Sequence, residues 1–323
     1  MQTHLRPPVP SDADFIARLG QRLYPQQPES PELWRQAAGG ASDGLSQFYV
    51  ATRPGDSSPL GYGRFRADKA FAPATENFRL FIGVLPEESC QGIGGLLLDQ
   101  LLKDLTALQA RVVRTRFLAP GEEALAFYRH RGWLDYQRMI HMALDLNVAA
   151  ATAPAEPGDF TVTTLAEEYA ANPDCLRAIH ELQNQGFAGI PSGDPFHTPP
   201  FEAFLHVFED PTVLRDCFFL AKAGGQYVGL SYASCFPDRP TILVHRFTGV
   251  HPQWRRRGVA TALKQAVSQY GRAHGYQSIH TATLEANTGM RAVNEALGFA
   301  PTYTEVRLKL TMPVPAPIGG PSD

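Results

Sequence analysis

Apolar positions recur along residues 93–108 at intervals of three and four, with Leu97, Leu101, Leu105 and Leu108 on one stripe. That period predicts an amphipathic helix. A second helix is predicted from Gly258 to about His274, where Leu263, Ala266, Val267 and Tyr270 share a face and Gly275 suits the position just past the end. Short runs rich in β-branched and aromatic residues predict strands at Phe160–Thr164, Cys217–Ala223, Tyr227–Phe236, Ile242–Val250 and Ser278–Leu284. Further helices are expected around Asp174–Asn184, at Phe201–Glu209, and from Asn287, a good N-cap, to Leu297, where Gly298 stops it. Antiparallel strands followed by strand–helix–strand–helix imply a mixed sheet covered by helices, an α/β arrangement of the α+β mixed-sheet kind.

The pattern occurs twice. VLPEESCQGIGGLLL begins at Val84 and VHPQWRRRGVATALK at Val250, an offset of 166 that also relates Pro86 to Pro252, Gly92 to Gly258 and Gly132-Trp133 to Gly298-Phe299. Upstream the offset drifts by a few residues, as it does when loops change length. The chain therefore reads as a tandem duplication. A first domain is expected over 1–147, an Ala/Pro-rich linker over 148–158, a second domain over 159–312 and a flexible Pro-rich tail over 313–323.

Composition narrows the function classes. The 323 residues carry 29 Lys and Arg against 32 Asp and Glu, a formal charge of −3, which excludes a general polyanion binder. A hydrophobic fraction of 44% supports two cores and excludes a disordered chain. Four cysteines, at 90, 175, 217 and 235, show no zinc spacing, so no metal is expected. The N-terminal residues lack an apolar targeting segment, and no long apolar run crosses a membrane. A soluble cytoplasmic protein, monomeric or homodimeric, without nucleic-acid or membrane partners, is the expectation.

The repeated turn carries the chemistry. A strand ends in Val, a Pro-containing turn follows, and a cluster of small residues opens the amphipathic helix. Such a turn aims free backbone N–H groups at one point, the helix N-terminus adds roughly half a positive charge there, and small residues admit close approach of a phosphate. In the second copy the cradle is Arg255, Arg256, Arg257, Gly258, Val259, Ala260 and Thr261; in the first it is Ser89, Cys90, Gln91, Gly92, Ile93, Gly94 and Gly95. Leu97 stands where a dinucleotide fingerprint needs its third glycine, and neither loop has the Gly-Lys-Ser/Thr of a P-loop.

These segments resemble motif A of the GNAT acyl-CoA-dependent N-acetyltransferases, Arg/Gln-x-x-Gly-x-Gly/Ala. The second copy matches at Arg255, Gly258 and Ala260; the first has Ser89 in the leading position and matches at Gly92 and Gly94. A later family motif, a helix ending in Leu-Gly-Phe, is similar to Asn287–Phe299 and to Ala126–Trp133. The resemblance spans nearly the whole chain, in a two-domain layout similar to that of mycothiol synthase.

The resemblance implies two tandem GNAT-type domains and acetyl-CoA as co-substrate. It further implies a sheet splayed open so that pantetheine lies against the main chain of Phe81–Val84, through Ile82 and Val84, and of Phe247–Val250, through Thr248 and Val250. A primary amine of a small molecule or peptide would attack the thioester directly. A mycothiol-synthase-like acetylation of a thiol metabolite's amine is the alternative enzyme, and a non-catalytic acyl-CoA sensor the alternative outside enzymology.

Tyr128 stands where many family members carry a tyrosine facing the CoA sulfur, and a phenol can protonate a departing thiolate; the other reading is a half-buried aromatic beside Phe127. The second copy has Asn294 there, which cannot act as an acid. His245, on the strand leading into the second motif, is a candidate base, unless strand alternation turns it from the cleft and leaves Val244 in the direct counterpart. Asn287 is a helix cap that the family places beside the cofactor. Asp194 and His197, in the irregular stretch 186–200, lie where the resemblance implies that acceptors are gripped, while His197 by itself is assigned to plain loop chemistry. The second domain, with the more complete motif A, is favoured as the catalyst.

Overall fold

Two glycines, Gly92 (φ 84°) and Gly258 (φ 79°), cap the two longest helices in a left-handed conformation that a side chain would strain. They are the hinges on which both repeats turn from strand to helix. The computed structural model describes residues 3–24, 34, 44–68, 71, 73–119, 121–148, 158–191 and 200–313. Most of the expected linker, the expected tail from 314 on, and Asp194 and His197 lie outside the described residues.

The first repeat runs β1 (His4–Arg6), α1 (Ala13–Leu23), β2 (Ser46–Thr52), β3 (Pro59–Ala67), β4 (Asn77–Val84), α2 (Ile93–Ala107), β5 (Val112–Ala119), α3 (Glu122–Arg129) and β6 (Leu134–Asp145). The second runs β7 (Thr161–Thr164), α4 (Leu165–Ala171), α5 (Cys175–Ala188), α6 (Phe201–Glu209), β8 (Val213–Ala223), β9 (Gln226–Phe236), β10 (Arg239–Val250), α7 (Val259–Ala273), β11 (Ser278–Leu284), α8 (Thr288–Ala296) and β12 (Ala300–Thr311). Short 3₁₀ turns at Pro86–Glu88 and Pro252–Trp254 precede α2 and α7. The result is the expected mixed α/β fold.

Two compact units follow, one of Met1–Tyr136 with Val306–Asp323, the other of Gln137–Glu305. The division cuts inside β6 and inside β12, so most of β6 belongs with the second unit and the last part of β12 with the first. In the first unit the strand order is β1-β2-β3-β4-β5, with the end of β12 beyond β5; Met312 N donates to Arg111 O at 2.8 Å there. In the second unit it is β6-β11-β10-β9-β8-β7.

The leucine stripe of α2 is the first unit's core: Leu98, Leu101 and Leu105 are fully buried in a cluster with Phe65, Phe78 and Val113, and Leu97 in one with Ala51, Leu60 and Ile93. Each such side chain contributes about 1.5–3 kcal/mol of apolar burial. In the second unit Leu263 and Val267 of α7 cover one sheet face, while Ile179 and Leu182 of α5 cover the other against Phe218, Leu220 and Tyr232. One element escapes the apolar pattern, the short helix α4. A capping box starts it: Thr164 Oγ1 accepts from Glu167 N at 3.2 Å and Glu167 Oε2 accepts from Thr164 N at 2.8 Å.

Candidate functional site

In both units a parallel strand pair opens into a V. β4 pairs with β5 only at Asn77↔Val112, Phe78↔Val113 and Arg79↔Arg114, and β10 with β11 only at Ile242↔Ser278, Leu243↔Ile279 and Val244↔His280. Beyond these pairs β4 continues to Val84 and β10 to Val250 with no strand partner on that side among the described residues. Ile82, Val84, Thr248 and Val250 lie on those unpaired stretches, where main-chain groups can meet an extended ligand as an added strand would, except Val250 O, which accepts from Arg255 Nε.

At the mouth of each V the chain turns into a helix in the same way. Cys90 (φ 61°) and Arg256 (φ 63°) are left-handed two residues before the left-handed Gly92 and Gly258. Non-glycine residues in that region cost about 1–3 kcal/mol, a cost that recurs here at matched positions. The first backbone bonds of the helices are Leu96 N to Gly92 O, 3.0 Å, and Ala262 N to Gly258 O, 2.9 Å. The N–H groups of Gly92–Gly95 and Gly258–Thr261 consequently lack helical acceptors, the arrangement that at a helix N-terminus favours an anion. A Cβ placed on Gly92 or Gly258 would meet nothing within 4 Å, so the space over each turn is open. Ile93 and Val259 bury their side chains, leaving only main chain to the cradle, whereas Gln91 and Arg256 are exposed.

The arginines divide their tasks. Arg255 folds back, its Nε donating to Val250 O at 3.3 Å and its guanidinium packed on Gly189 at the end of α5. Arg257 lies over the Trp254 ring, 4.9 Å from its centre. The first cradle, with Ser89 in the leading place, has a cation that sequence reasoning missed. Arg131, just past α3, stacks on Phe127 at 4.0 Å, donates to Phe127 O at 2.9 Å, and comes 3.6 Å from where a Cβ on Gly95 would sit. At the 166-residue offset the second repeat has Leu297, so an arginine inside the Leu-Gly-Phe position was the available signal.

Tyr128 is buried among Phe117, Phe127 and Trp133, with ring centres 4.8–5.1 Å away. Its hydroxyl is sealed without a well-formed hydrogen bond, and burial pushes the phenol far above its ordinary range. Asn294, its counterpart, is fully buried; its Nδ2 meets Met142 Sδ at 3.6 Å and its Oδ1 has no partner. Asn287 caps α8, its Oδ1 accepting from Met290 N at 3.2 Å.

His245 takes the orientation that alternation allowed away from the cleft. It faces α7, 6% exposed, in a buried polar cluster: its Nε2 meets Ser231 Oγ at 2.6 Å and Thr248 Oγ1 at 3.2 Å, and its Nδ1 meets Lys264 Nζ. Burial first, and the neighbouring lysine second, hold its pKa well below the usual value. Lys264 is 3% exposed and lowered to about 7 by burial. The helical stripe gave no warning of a lysine on the inner face.

The two Vs differ in one respect that bears on chemistry. β3 pairs with β4 without interruption from Gly61↔Val84 to Ala67↔Phe78. Between β9 and β10 the register shifts at His245/Phe247, leaving Arg246 as an extra residue just beyond the point where β10 leaves β11. Bulges of this kind bend a strand and re-aim main-chain groups.

The family's sequence profile, "Acetyltransferase (GNAT) family", matches residues 14–133 and again 176–299. The chain belongs to that family, whose members in general carry N-acetyltransferase activity with acetyl-CoA as acyl donor. A GCN5-related N-acetyltransferase from Sphaerobacter thermophilus is similar in fold, with TM-score 0.75 and 21% identity over 96% of this chain and 95% of that one. A tandem GNAT protein from the clavulanic acid biosynthesis pathway is similar over 100% of both chains, with TM-score 0.68 and 20% identity. No curated protein sequence matches. The residues present suit an acyl-CoA: open main-chain cradles for a pyrophosphate, arginines beside them, and an unpaired strand edge for the pantetheine amides. Among the described residues no cluster of metal-ligating side chains occurs, and no helix is long and apolar enough to cross a membrane.

Proposed function

We propose that the protein transfers an acetyl group from acetyl-CoA to a primary amine of a small molecule or peptide, and that the second unit performs the chemistry. The observation that carries this reading is the coincidence, on β10, of three features: the V that opens after Val244, the bulge at Arg246, and the cradle that begins at Arg255. The first unit has the V and the cradle but a regular ladder, and Ser89 in place of the leading arginine. In the second unit Thr248 and the Val250 N–H meet the pantetheine arm through main chain, Arg255 braces Val250 O against the end of α5, and the N–H groups of Gly258–Thr261, with Arg256 and Arg257, hold the phosphates. Asn287 fixes the start of α8 beside them. His245 supports Thr248 from beneath rather than meeting the acceptor.

Release of free thiol from acetyl-CoA across a panel of primary amines tests this reading. Acceptor-dependent thiol release that survives Gly92→Val and is lost in Gly258→Val is the expected result. Acetyl-CoA binding without release for any amine would instead favour an acyl-CoA sensor, and loss in Gly92→Val alone would assign the chemistry to the first unit.

A further inference from the structure

We propose that His280 takes the proton from the acceptor amine in the second unit and that His141 carries it onward. This inference rests on the N-acetyltransferase reading above and supplies the base that β10 lacks, since no carboxylate occurs between Arg239 and Val250.

The placement follows from register. Val244↔His280 is the last pair before β10 and β11 part, so His280 stands at the apex of the V. Leu243 and Ile279, the pair before it, are buried with Val267 of α7. Val244 and His280 therefore point to the opposite face, the one on which Gly186 of α5 touches Phe247 and Gly249. His280 occupies the surface on which an amine approaching the apex from the α5 side would arrive, and it is half-buried rather than sealed.

His141 is its diagonal neighbour on that face, because His280 pairs with Ala143 and Ala282 with His141. The His141 ring stacks on Tyr303, centres 4.1 Å apart, and its Nε2 lies 3.8 Å from Oε2 of Glu305, a carboxylate 1% exposed. The titratable and charged groups around His280 are thus Arg239 of β10 and His141 of β6, with Glu305 of β12 beside His141. Burial first, and then the neighbouring Arg239 guanidinium, lower the His280 pKa, which keeps the ring neutral and able to accept a proton near pH 7. His245 does not compete for this role, since both its ring nitrogens are engaged on the α7 side.

The step balances. An alkylammonium acceptor gives one proton to the free ring nitrogen of His280. The nitrogen lone pair then forms the C–N bond at the thioester carbonyl, the C–S bond breaks, and the departing thiolate takes the second nitrogen proton. The third stays on the amide, and the proton on His280 leaves through His141.

The test compares two acceptors that need a base to different degrees: ethylamine, an ammonium ion at pH 7, and hydroxylamine, which is neutral there. In His280→Gln the second-order rate constant with ethylamine is expected to fall about 100-fold, the size of a lost general base. Hydroxylamine should lose less than roughly threefold, and calorimetric affinity for acetyl-CoA should be unchanged. His280→Glu, which restores a base, should recover most of the ethylamine rate and extend activity to lower pH. An equal fall with both amines, no fall with either, or no recovery in His280→Glu overturns the proposal. Native protein that binds acetyl-CoA but acetylates neither amine overturns it while sparing the cofactor assignment; native protein that fails to bind acetyl-CoA overturns the functional reading itself.

Discussion

Lys264 Nζ and His245 Nδ1 share a hydrogen bond inside the second unit, with each side chain almost wholly withdrawn from solvent. Two groups that usually carry or seek a proton are held together where charge is expensive. The Phe299 ring, 5.3 Å from the ammonium position, and the hydroxyls of Ser231 and Thr248 complete the enclosure.

That pair makes stability depend on pH. Lys264 titrates near 7 in the folded protein against about 10.5 unfolded. Between these values the unfolded chain binds the extra proton, so stability rises with pH through that window, by at most about 1.4 kcal/mol per unit, and is lowest below pH 7. Thermal melts at pH 7 and pH 9 should show the rise in the native protein. Lys264→Met should flatten it and raise the pH 7 melting point. A melting point that falls on moving to pH 9, or a rise that persists in Lys264→Met, contradicts the assignment.

Gly258 is expected to be indispensable to the cofactor for two reasons that can be separated. Its φ of 79° penalises any Cβ by about 1 kcal/mol, while the added atom protrudes into open space and not into protein. Gly258→Ala should therefore lower the melting point slightly and weaken acetyl-CoA about tenfold, as loss of one phosphate contact does. Gly258→Val should weaken it further and cost more stability than Ala, because a β-branched residue is strained more at that φ, so its affinity is read below its own melting transition. Calorimetry with unchanged affinity in both variants would remove the cradle from the binding site.

How much of this was legible in the residues depends on the range of the interactions. Gly92 and Gly258 were legible from the repeated turn and Asn287 from its preference for a helix start, since left-handed backbone and capping are local properties. Strand Ser278–Leu284 matches its expected bounds because β-branched residues and flanking turns define it. The bulge at Arg246 was illegible because it exists only in the pairing of β9 with β10. Burial of Lys264 was hidden because a lysine on a helix ordinarily marks the wet face, and only the sheet above shows that His245 waits for it. The membership of β6 and β12 in their units reflects contacts across the sequence that no local pattern encodes.

Arg131 should replace the missing leading arginine of the first cradle. Its guanidinium is exposed, so the contact is screened, and its loss should weaken acetyl-CoA at the first unit by about fivefold rather than a hundredfold. The measurement is calorimetry in a Gly258→Val background, where only the first cradle is intact. Adding Arg131→Ala should reduce the residual affinity and its salt sensitivity, and adding Ser89→Arg to that variant should restore both. Residual binding indifferent to Arg131 would mean that the arginine serves only to pack on Phe127.

Tyr128 gives the sharpest division between the two units. Its hydroxyl is buried without a proper partner, so Tyr128→Phe keeps the shape and deletes an unsatisfied polar group; stability should hold or rise by up to about 1 kcal/mol. A phenol whose ionisation is suppressed by burial holds its proton, yet a tyrosine facing a departing thiolate could still donate it in the first unit. With the chemistry in the second unit, where Asn294 replaces it, acceptor-dependent turnover in Tyr128→Phe should stay within about twofold of native, since no transition-state proton transfer is lost. Gly258→Val should abolish that turnover. The reverse pattern, turnover lost in Tyr128→Phe and retained in Gly258→Val, would make the first unit the catalyst and leave the second as its acyl-CoA-binding companion.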